Sequence, residues 1–374
     1  MTESAAQTVA RYDYAYQLEG ARQALSEKID GMLEKGDYVL GGEVKRFEED
    51  FGRYLGVAHT LGVNSGTDAL ILGLRALGIG PGDEVITQAN TFHATVAAII
   101  VVGATPVLVD ADETTFLMDC SQLSGAVTPR TKAIIPVHLF GKPTDMTPIE
   151  TVASEHGLAV VEDAAQAHGA SIDGRMTGAV GTIGCFSFHP SKNLAAAGDA
   201  GAVVTNDDAI AERIRSLRSL GQSAQNEHIY VGLNSKLDAI QAVVLQHKLK
   251  MLDVWNDQRI EIASEFRDGL ADLPVFFQDP GGANEKHVYH LFQVGCDARD
   301  DLLEHLAQAG IDATVRYPTP IHLQKAFEDQ GWSKGQFPTA ERLARSLLCL
   351  PIRPGMPRGE RTRVIQAIRL FFGK

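Results

Sequence analysis

Residues 159–194 read AVVEDAAQAHGASIDGRMTGAVGTIGCFSFHPSKNL. Two short apolar runs, 159–161 and 184–188, flank a polar segment whose Asp173-Gly174 pair suits a tight turn. Each run ends on residues capable of chemistry: Glu162-Asp163 after the first, His189-Pro190-Ser191-Lys192 after the second. The same grammar continues outward. Residues 59–63, 84–87, 105–109, 133–137 and 202–205 read as strands, and stretches such as 67–77 and 148–156 carry helical spacing. Gly80-Pro81-Gly82-Asp83 supplies a turn between a helix and a strand. Such alternation predicts an α/β fold with helices flanking a mostly parallel central sheet. Beyond residue 205 the pattern changes to long helices over 207–220 and 237–270. A strand near 288–294, a helix over 300–309 and a last helix over 360–372 follow. The expectation is a large α/β domain, 1–245, and a smaller C-terminal α+β domain, 246–374.

The chain has 374 residues, with 34 Lys plus Arg against 47 Asp plus Glu, or 34 − 47 = −13. With 44% hydrophobic and 22% charged residues it can bury a large core, which argues against disorder. Its acidity argues against a general nucleic-acid or anionic-membrane binder, since either needs a basic face. Cys120, Cys185, Cys296 and Cys349 lie far apart without a C-x-x-C pair, so they read as small buried residues in a reducing compartment. The amino-terminal stretch has no basic start followed by an apolar segment. The longest apolar run, 94–109, is interrupted by Thr95, Gly103, Thr105 and Pro106 and falls short of the ~20 residues of a membrane span. A cytoplasmic protein is expected.

In open α/β sheets ligands sit beyond the carboxyl ends of the strands. After 59–63 comes Asn64-Ser65-Gly66-Thr67, opening a helix whose free N–H groups favour an anion; a plain N-cap is the alternative. Neither a Walker A nor a G-x-G-x-x-G pattern occurs. A carboxylate at 162–163 would pair with a protonated ring nitrogen or a metal, or cap a helix. His168 would be a ligand or base, or structural. Lys192 is the only lysine between Lys142 and Lys236 and lies among Phe186, Phe188 and Pro190. Desolvation there would lower its pKa and free it for Schiff-base chemistry; a solvated loop lysine is the alternative. An anion cradle, a carboxylate for a pyridinium nitrogen and an imine-forming lysine together match pyridoxal 5'-phosphate. Metal hydrolysis fits less well. His287 and His290 form the closest histidine pair and lack metalloprotease spacing, so no metal is expected.

Further motifs extend over nearly the whole chain: GDYVLGGE (36–43), VNSGTDAL (63–70), PGDEVITQANTFHAT (81–95), VEDAAQAHGA (161–170), FSFHPSKNL (186–194), GDAGAVVTND (198–207), GLNSKLDAIQA (232–242) and RYPTPIHLQ (316–324). In this order they resemble the DegT/StrS family of fold-type I, pyridoxal-phosphate-dependent nucleotide-sugar aminotransferases. The resemblance implies that Lys192 binds the cofactor covalently and shuttles the proton, and that Asp163 keeps the ring nitrogen protonated. Gln166 would lie near the ring's 3-oxygen, and Phe92 would stack on the ring. Gly66, Thr67 and Ser187 would contact the phosphate. Asn234 would reach the phosphate across a homodimer interface, with the loop 222–230 entering the neighbouring site. His189, His228, Tyr230 and His322 are candidate substrate contacts; for His189, packing is the equal alternative. Arg218 is a candidate cation for the diphosphate. His93 receives no catalytic role.

A related branch that dehydrates sugars has histidine where Lys192 stands, so the lysine supports transamination. The segments 90–95 and 228–235 are similar to members acting on 3-keto sugars. The implied reaction moves an amino group from an amino acid, by resemblance L-glutamate, to a nucleotide-linked 3-keto-deoxyhexose. The rivals are a 4-keto sugar, a free cyclitol or sugar phosphate, and a non-catalytic regulator of the same fold.

Overall fold

The computed structural model describes residues 8–374. Residues 1–7, part of the stretch read for a leader and of the expected large domain, lie outside the described residues. Seven strands form the main sheet: β1 His59–Val63, β2 Glu84–Gln88, β3 Thr105–Val109, β4 Thr131–Ile135, β5 Ala159–Asp163, β6 Ile183–Ser187 and β7 Gly201–Thr205. Their order is β1-β7-β6-β5-β4-β2-β3. Strands β3, β2, β4, β5 and β6 run parallel, and β7 lies antiparallel to both neighbours. The expected strand over 133–137 is shifted to β4, because Pro136 has no N–H to give the ladder; Val137 rejoins only as a single bridge to Asp163. Asp173-Gly174 forms the predicted turn, both residues at positive φ, between Ser171–Ile172 and Arg175–Met176.

Helix α3, Gly66–Ala76, follows β1 and is buried from Ala69 through Leu74 among the strands and neighbouring helices. Ser65 caps it by accepting the Asp68 N–H at 3.1 Å. Helix α2, Gly41–Leu55, places Phe47 and Phe51 edge-on to Phe188 and Phe186, with centroids 5.0–5.4 Å apart. All four rings are fully buried, each contributing about 1.5–3 kcal/mol. Phe188 stands four residues before Lys192, so this cluster anchors the lysine's loop from behind.

The expected long helix over 237–270 is two helices, Ala239–Leu249 and Leu252–Leu270. The first packs on α2, whereas Ile262, Phe266 and Leu270 of the second belong to the C-terminal core. The turn lets the chain pass from one core to the other, which an apolar stripe alone does not reveal. In the C-terminal part, Phe276–Phe277, Phe292–Gly295 and Leu347–Leu350 form an antiparallel sheet covered by helices including Arg299–Gln308 and Arg358–Phe371. The strand expected near 288–294 starts only at Phe292; Tyr289 adopts φ 42°, incompatible with extended backbone. Val9 bridges Ile311 and is fully buried in this second core. Thus the start of the described chain packs with the C-terminal part, although its sequence position is in the expected large domain.

Candidate active site

Adjacent residues of a strand point to opposite faces, and β5 uses this to separate two carboxylates. Glu162 is completely buried and accepts from His138 Nε2 at 3.0 Å and from the N–H groups of Gly178, Val180 and Gly181 at 2.7, 2.8 and 2.6 Å. His138 Nδ1 accepts the Thr144 N–H at 2.9 Å, which leaves the proton on Nε2 for Glu162. Burial disfavours the anion, but the His138 interaction and the backbone donors prevail and lower the Glu162 pKa. Glu162 therefore fastens the loop before β6 rather than facing a ligand.

Asp163 faces the other way, into a cavity of about 270 Å³ beyond the carboxyl ends of β1, β5 and β6. Its Oδ2 accepts from Thr95 Oγ1 at 2.8 Å and its Oδ1 from the Ala165 N–H at 3.2 Å. Thr91 Oγ1 lies 2.9 Å from Thr95 Oγ1; since Thr95 donates to Asp163, Thr91 donates to Thr95. Burial raises the Asp163 pKa, opposed by these hydrogen bonds and by the charge of Lys192.

Lys192 lines the same cavity. Its own N–H turns back to the His189 carbonyl at 2.8 Å, and Asn193 is buried with its amide donating to Asn256 at 2.9 Å and to the Val288 carbonyl at 3.1 Å. The loop is thus clamped on both sides of the lysine, while the amine has no hydrogen bond or ion pair among the described residues. Burial lowers its pKa to about 8, against the pull of Asp163 and with the help of Arg316.

The anion cradle is present. Ser65, Gly66, Thr67 and Ser187 line the cavity at the start of α3, where the first N–H groups have no carbonyl partner within the helix. Gly66 is also required by packing, because a Cβ there would lie 2.6 Å from the Ser187 Cβ. Gln166 accepts the Phe140 N–H at 2.8 Å and donates to the Tyr317 hydroxyl at 2.8 Å. Phe92, half exposed, stands over the cavity with its ring centroid 6.0 Å from that of Tyr317. His189 sits at the rim, its Nδ1 2.9 Å from Ser191 Oγ.

The remaining sequence candidates are elsewhere. Asn234 is exposed and its side chain takes the Lys236 amine. His228 bonds the Leu220 carbonyl at 2.9 Å, and Tyr230 lies under Arg213 at 5.2 Å; both are on a surface hairpin away from the cavity. His322 is a correction: it is buried and bonded to Glu341 at 3.0 Å, which makes it a packing residue. Arg218 is another, because its guanidinium is buried against Glu48 at 2.6 Å and the Gly62 carbonyl at 2.8 Å. His168 is fully buried, with no well-aligned hydrogen bond to either ring nitrogen, and burial and the nearby charge of Lys192 lower its pKa to about 3 against a weak interaction with the Ser187 backbone. His93 stacks on Phe327 at 4.8 Å. The sequence reading passed over Arg316, Tyr317 and His290, which line the cavity from the C-terminal part. The first two open the motif RYPTPIHLQ, which contains His322 as well, and the motif does not tell which of its residues faces the cavity.

Among the described residues no group of three or more His, Cys, Asp or Glu is placed to hold a metal ion, and no helix is long and apolar enough to cross a membrane. The cavity fits pyridoxal phosphate on its own chemistry: an uncommitted amine of lowered pKa, a buried carboxylate, an amide, an exposed ring face and an open helix start converge there.

Residues 21–369 match the DegT/DnrJ/EryC1/StrS aminotransferase family. The chain is 45% identical over 351 residues to dTDP-3-amino-3,4,6-trideoxy-alpha-D-glucose transaminase of Streptomyces venezuelae, covering 94% of this chain and 93% of that protein. It is 44% identical over 349 residues to UDP-N-acetyl-3-dehydro-alpha-D-glucosamine 3-aminotransferase of Acidithiobacillus ferrooxidans, covering 93% and 94% respectively. Its structure matches that of S. venezuelae DesV in complex with a ketimine intermediate at a TM-score of 0.96 and 44% identity, over 98% of this chain and 99% of the other. Solved structures of further relatives hold the cofactor in its pyridoxal or pyridoxamine form. The chain therefore belongs to the DegT/DnrJ/EryC1/StrS aminotransferases, as a fold-type I, pyridoxal-phosphate-dependent nucleotide-sugar aminotransferase.

Proposed function

We propose that the protein transfers an amino group from L-glutamate to a nucleotide-linked 3-keto-deoxyhexose, within a homodimer whose two sites share residues. The observation that carries the catalytic reading is the uncommitted Lys192 amine in one cavity with the buried Asp163. Bound there, the cofactor supplies an electrophilic carbon and a ring that takes up electrons from the reacting bond. Asp163, oriented by Thr95 and Ala165, holds a proton on the ring nitrogen. Lys192 Nζ would hold the cofactor covalently and, once displaced by the donor's amine, would take the proton from the donor's α-carbon as base and give it back as acid on the cofactor side of the nitrogen. Gly66, Thr67 and Ser187 bind the phosphate, Gln166 orients the ring oxygen, and Phe92 covers one ring face.

The choice of the 3-keto position rests on the names of the two relatives and on the likeness of residues 90–95. Within that segment Thr91 and Thr95 serve Asp163, so discrimination of the sugar falls to Phe92, His93 and Ala94, which line the cavity or the groove beside it. An open groove of about 490 Å³ shares Phe92 and Tyr317 with the cavity and carries Lys325, a more accessible cation for a diphosphate than Arg218. The protein should be yellow as purified and should bleach on addition of glutamate. Its amine-loaded form should then regain colour faster with a nucleotide-linked 3-keto sugar than with the 4-keto isomer. A faster 4-keto reaction overturns the position; no bleaching with any amino acid favours the non-catalytic regulator.

A further inference from the structure

The segment QANTFHAT (88–95) leaves the carboxyl end of β2, two strands from β5, and turns into the helix His93–Val101. Buried amides pin this turn. Gln88 donates to the Asn90 carbonyl at 2.8 Å and accepts the Val137 N–H at 3.2 Å, and Asn90 donates to the Phe116 carbonyl at 2.9 Å. Thr91 and Thr95, 3% and 0% exposed, are held with their hydroxyl oxygens 2.9 Å apart, and Thr95 Oγ1 reaches Asp163 Oδ2 at 2.8 Å. Thr91 Oγ1 has no other hydrogen-bond partner among the described residues.

This chain of hydroxyls has a direction. With Thr95 as its sole acceptor, Thr91 gives its hydrogen to Thr95, and Thr95 gives its own to Asp163. The reverse chain, from a protonated Asp163 through Thr95 to Thr91, would end on a buried hydroxyl hydrogen with nothing to accept it, which is unfavourable. The relay therefore favours the carboxylate and opposes burial, which raises the Asp163 pKa. An ionised carboxylate has about four acceptor positions. Thr95 and the Ala165 N–H use two, and the others are left for the cavity that Asp163 lines. Packing does not ask for these hydroxyls, because two valines of the same shape would fill the space with no polar atoms to satisfy. The only group outside the pair that they serve is Asp163. We propose that Thr95, with Thr91 behind it, is a positioning residue that keeps the Asp163 carboxylate ionised and aimed at the cofactor's ring nitrogen, and so sets the protonation of that nitrogen. The inference rests on the aminotransferase reading. It makes the buried half of a segment similar to that of 3-keto members act on the cofactor rather than on the sugar.

The test loads the native protein, Thr95→Val, Thr95→Ser and Thr91→Val with pyridoxal 5'-phosphate carrying nitrogen-15 in its ring. The ring-nitrogen NMR shift then reports protonation without turnover. It should lie at the protonated end in the native protein, move toward the unprotonated end in Thr95→Val, and return in Thr95→Ser. Thr91→Val, one step further back, should move it the same way by less, and serves if Thr95→Val does not fold. In binding, Thr95→Val should weaken pyridoxal phosphate about tenfold, while the analogue with C–H in place of the ring nitrogen stays within twofold of native. An unmoved shift in the valine variants, a shift that serine does not restore, or equal weakening of cofactor and analogue overturns the inference and leaves the threonines as packing. Borohydride reduction and peptide mass spectrometry separate this from the underlying reading: label absent from Lys192 in the native protein would defeat the aminotransferase reading, whereas label at Lys192 with an unmoved shift defeats only this inference.

Discussion

The cavity floor and the hairpin at 222–231 handle their side chains in opposite ways. On the floor, Asp163 is 5% exposed and bonded to Thr95 and Ala165, Gln166 is bonded to Phe140 and Tyr317, and Phe188 and Asn193 brace the lysine's loop. On the hairpin, Ile229 is 54% and Val231 89% exposed, and Tyr38 and Val39 are exposed beside the segment that continues from it. The floor's polar groups find partners within the chain, whereas the hairpin's apolar groups find no cover there. Exposed apolar side chains gathered on neighbouring segments suit a surface that a partner covers, and a second copy is the commonest such partner. The contrast separates what one subunit does by itself from what we assign to the pair.

The largest effect is expected on the floor. Lys192→Ala should reduce turnover by about 10²–10⁴-fold or more, since it removes the covalent attachment and the proton carrier together. Borohydride reduction of the native protein should label Lys192; a different labelled lysine would break the assignment. Asp163→Asn should slow both half-reactions by about 100-fold while leaving the melting temperature near that of the native protein. Equal rates would reduce Asp163 to a cap for the Ala165 turn.

Just beyond the hairpin, Asn234→Ala should weaken cofactor retention without disturbing the fold of its own subunit, because the side chain is exposed. Mixing it with Lys192→Ala should restore activity: the heterodimer holds one site with both native residues. Absence of recovery, with subunit exchange shown by a mass tag, would mean that each floor works alone.

The smallest effect concerns pH. Because the Lys192 pKa in the folded protein, about 8, lies below its ordinary 10.5, the folded state releases the proton first as pH rises. This group's burial penalty is complete below pH 8 and is relieved between 8 and 10.5, so its contribution to stability increases with pH across that window. Only the neutral amine attacks the cofactor. Recombination of the stripped protein with pyridoxal phosphate should accelerate roughly tenfold per pH unit below about 8 and level off above it. A flat profile from pH 6 to 9 in stopped-flow absorbance would show that the amine is not desolvated as its surroundings imply.

Much of the floor is legible because it is built from strand ends. A run such as AVVED carries its own period, and the residue that ends it must emerge at the sheet's carboxyl edge. Lys192, Asp163, Gln166 and the Gly66-Thr67 helix start are read in this way, and the cavity collects them. His322 and Arg218 fail for a common reason: each is polar and near a motif, but each is buried against one acid, Glu341 and Glu48, which are 19 and 170 residues away in sequence. Arg316 and Tyr317 stand at the start of RYPTPIHLQ, but nothing in that motif says which side chains turn toward a lysine 124 residues earlier.

By itself, the sequence determined the alternation of strands and helices, the acidic globular composition, the lysine with its carboxylate, and the family. These follow from local period and from residue chemistry at strand ends. Only the tertiary structure decided that Glu162 is a scaffold and Asp163 a ligand-facing acid. A strand's side chains alternate, and it is the packing of loop 178–181 on one face that tells the two apart. It likewise decided that the first described residues belong with the C-terminal part, where Val9 enters the second core and Tyr12 meets Arg316. Contacts between residues some 300 positions apart leave no periodic trace in the sequence; they exist because two cores, folded from distant segments, close over one cavity.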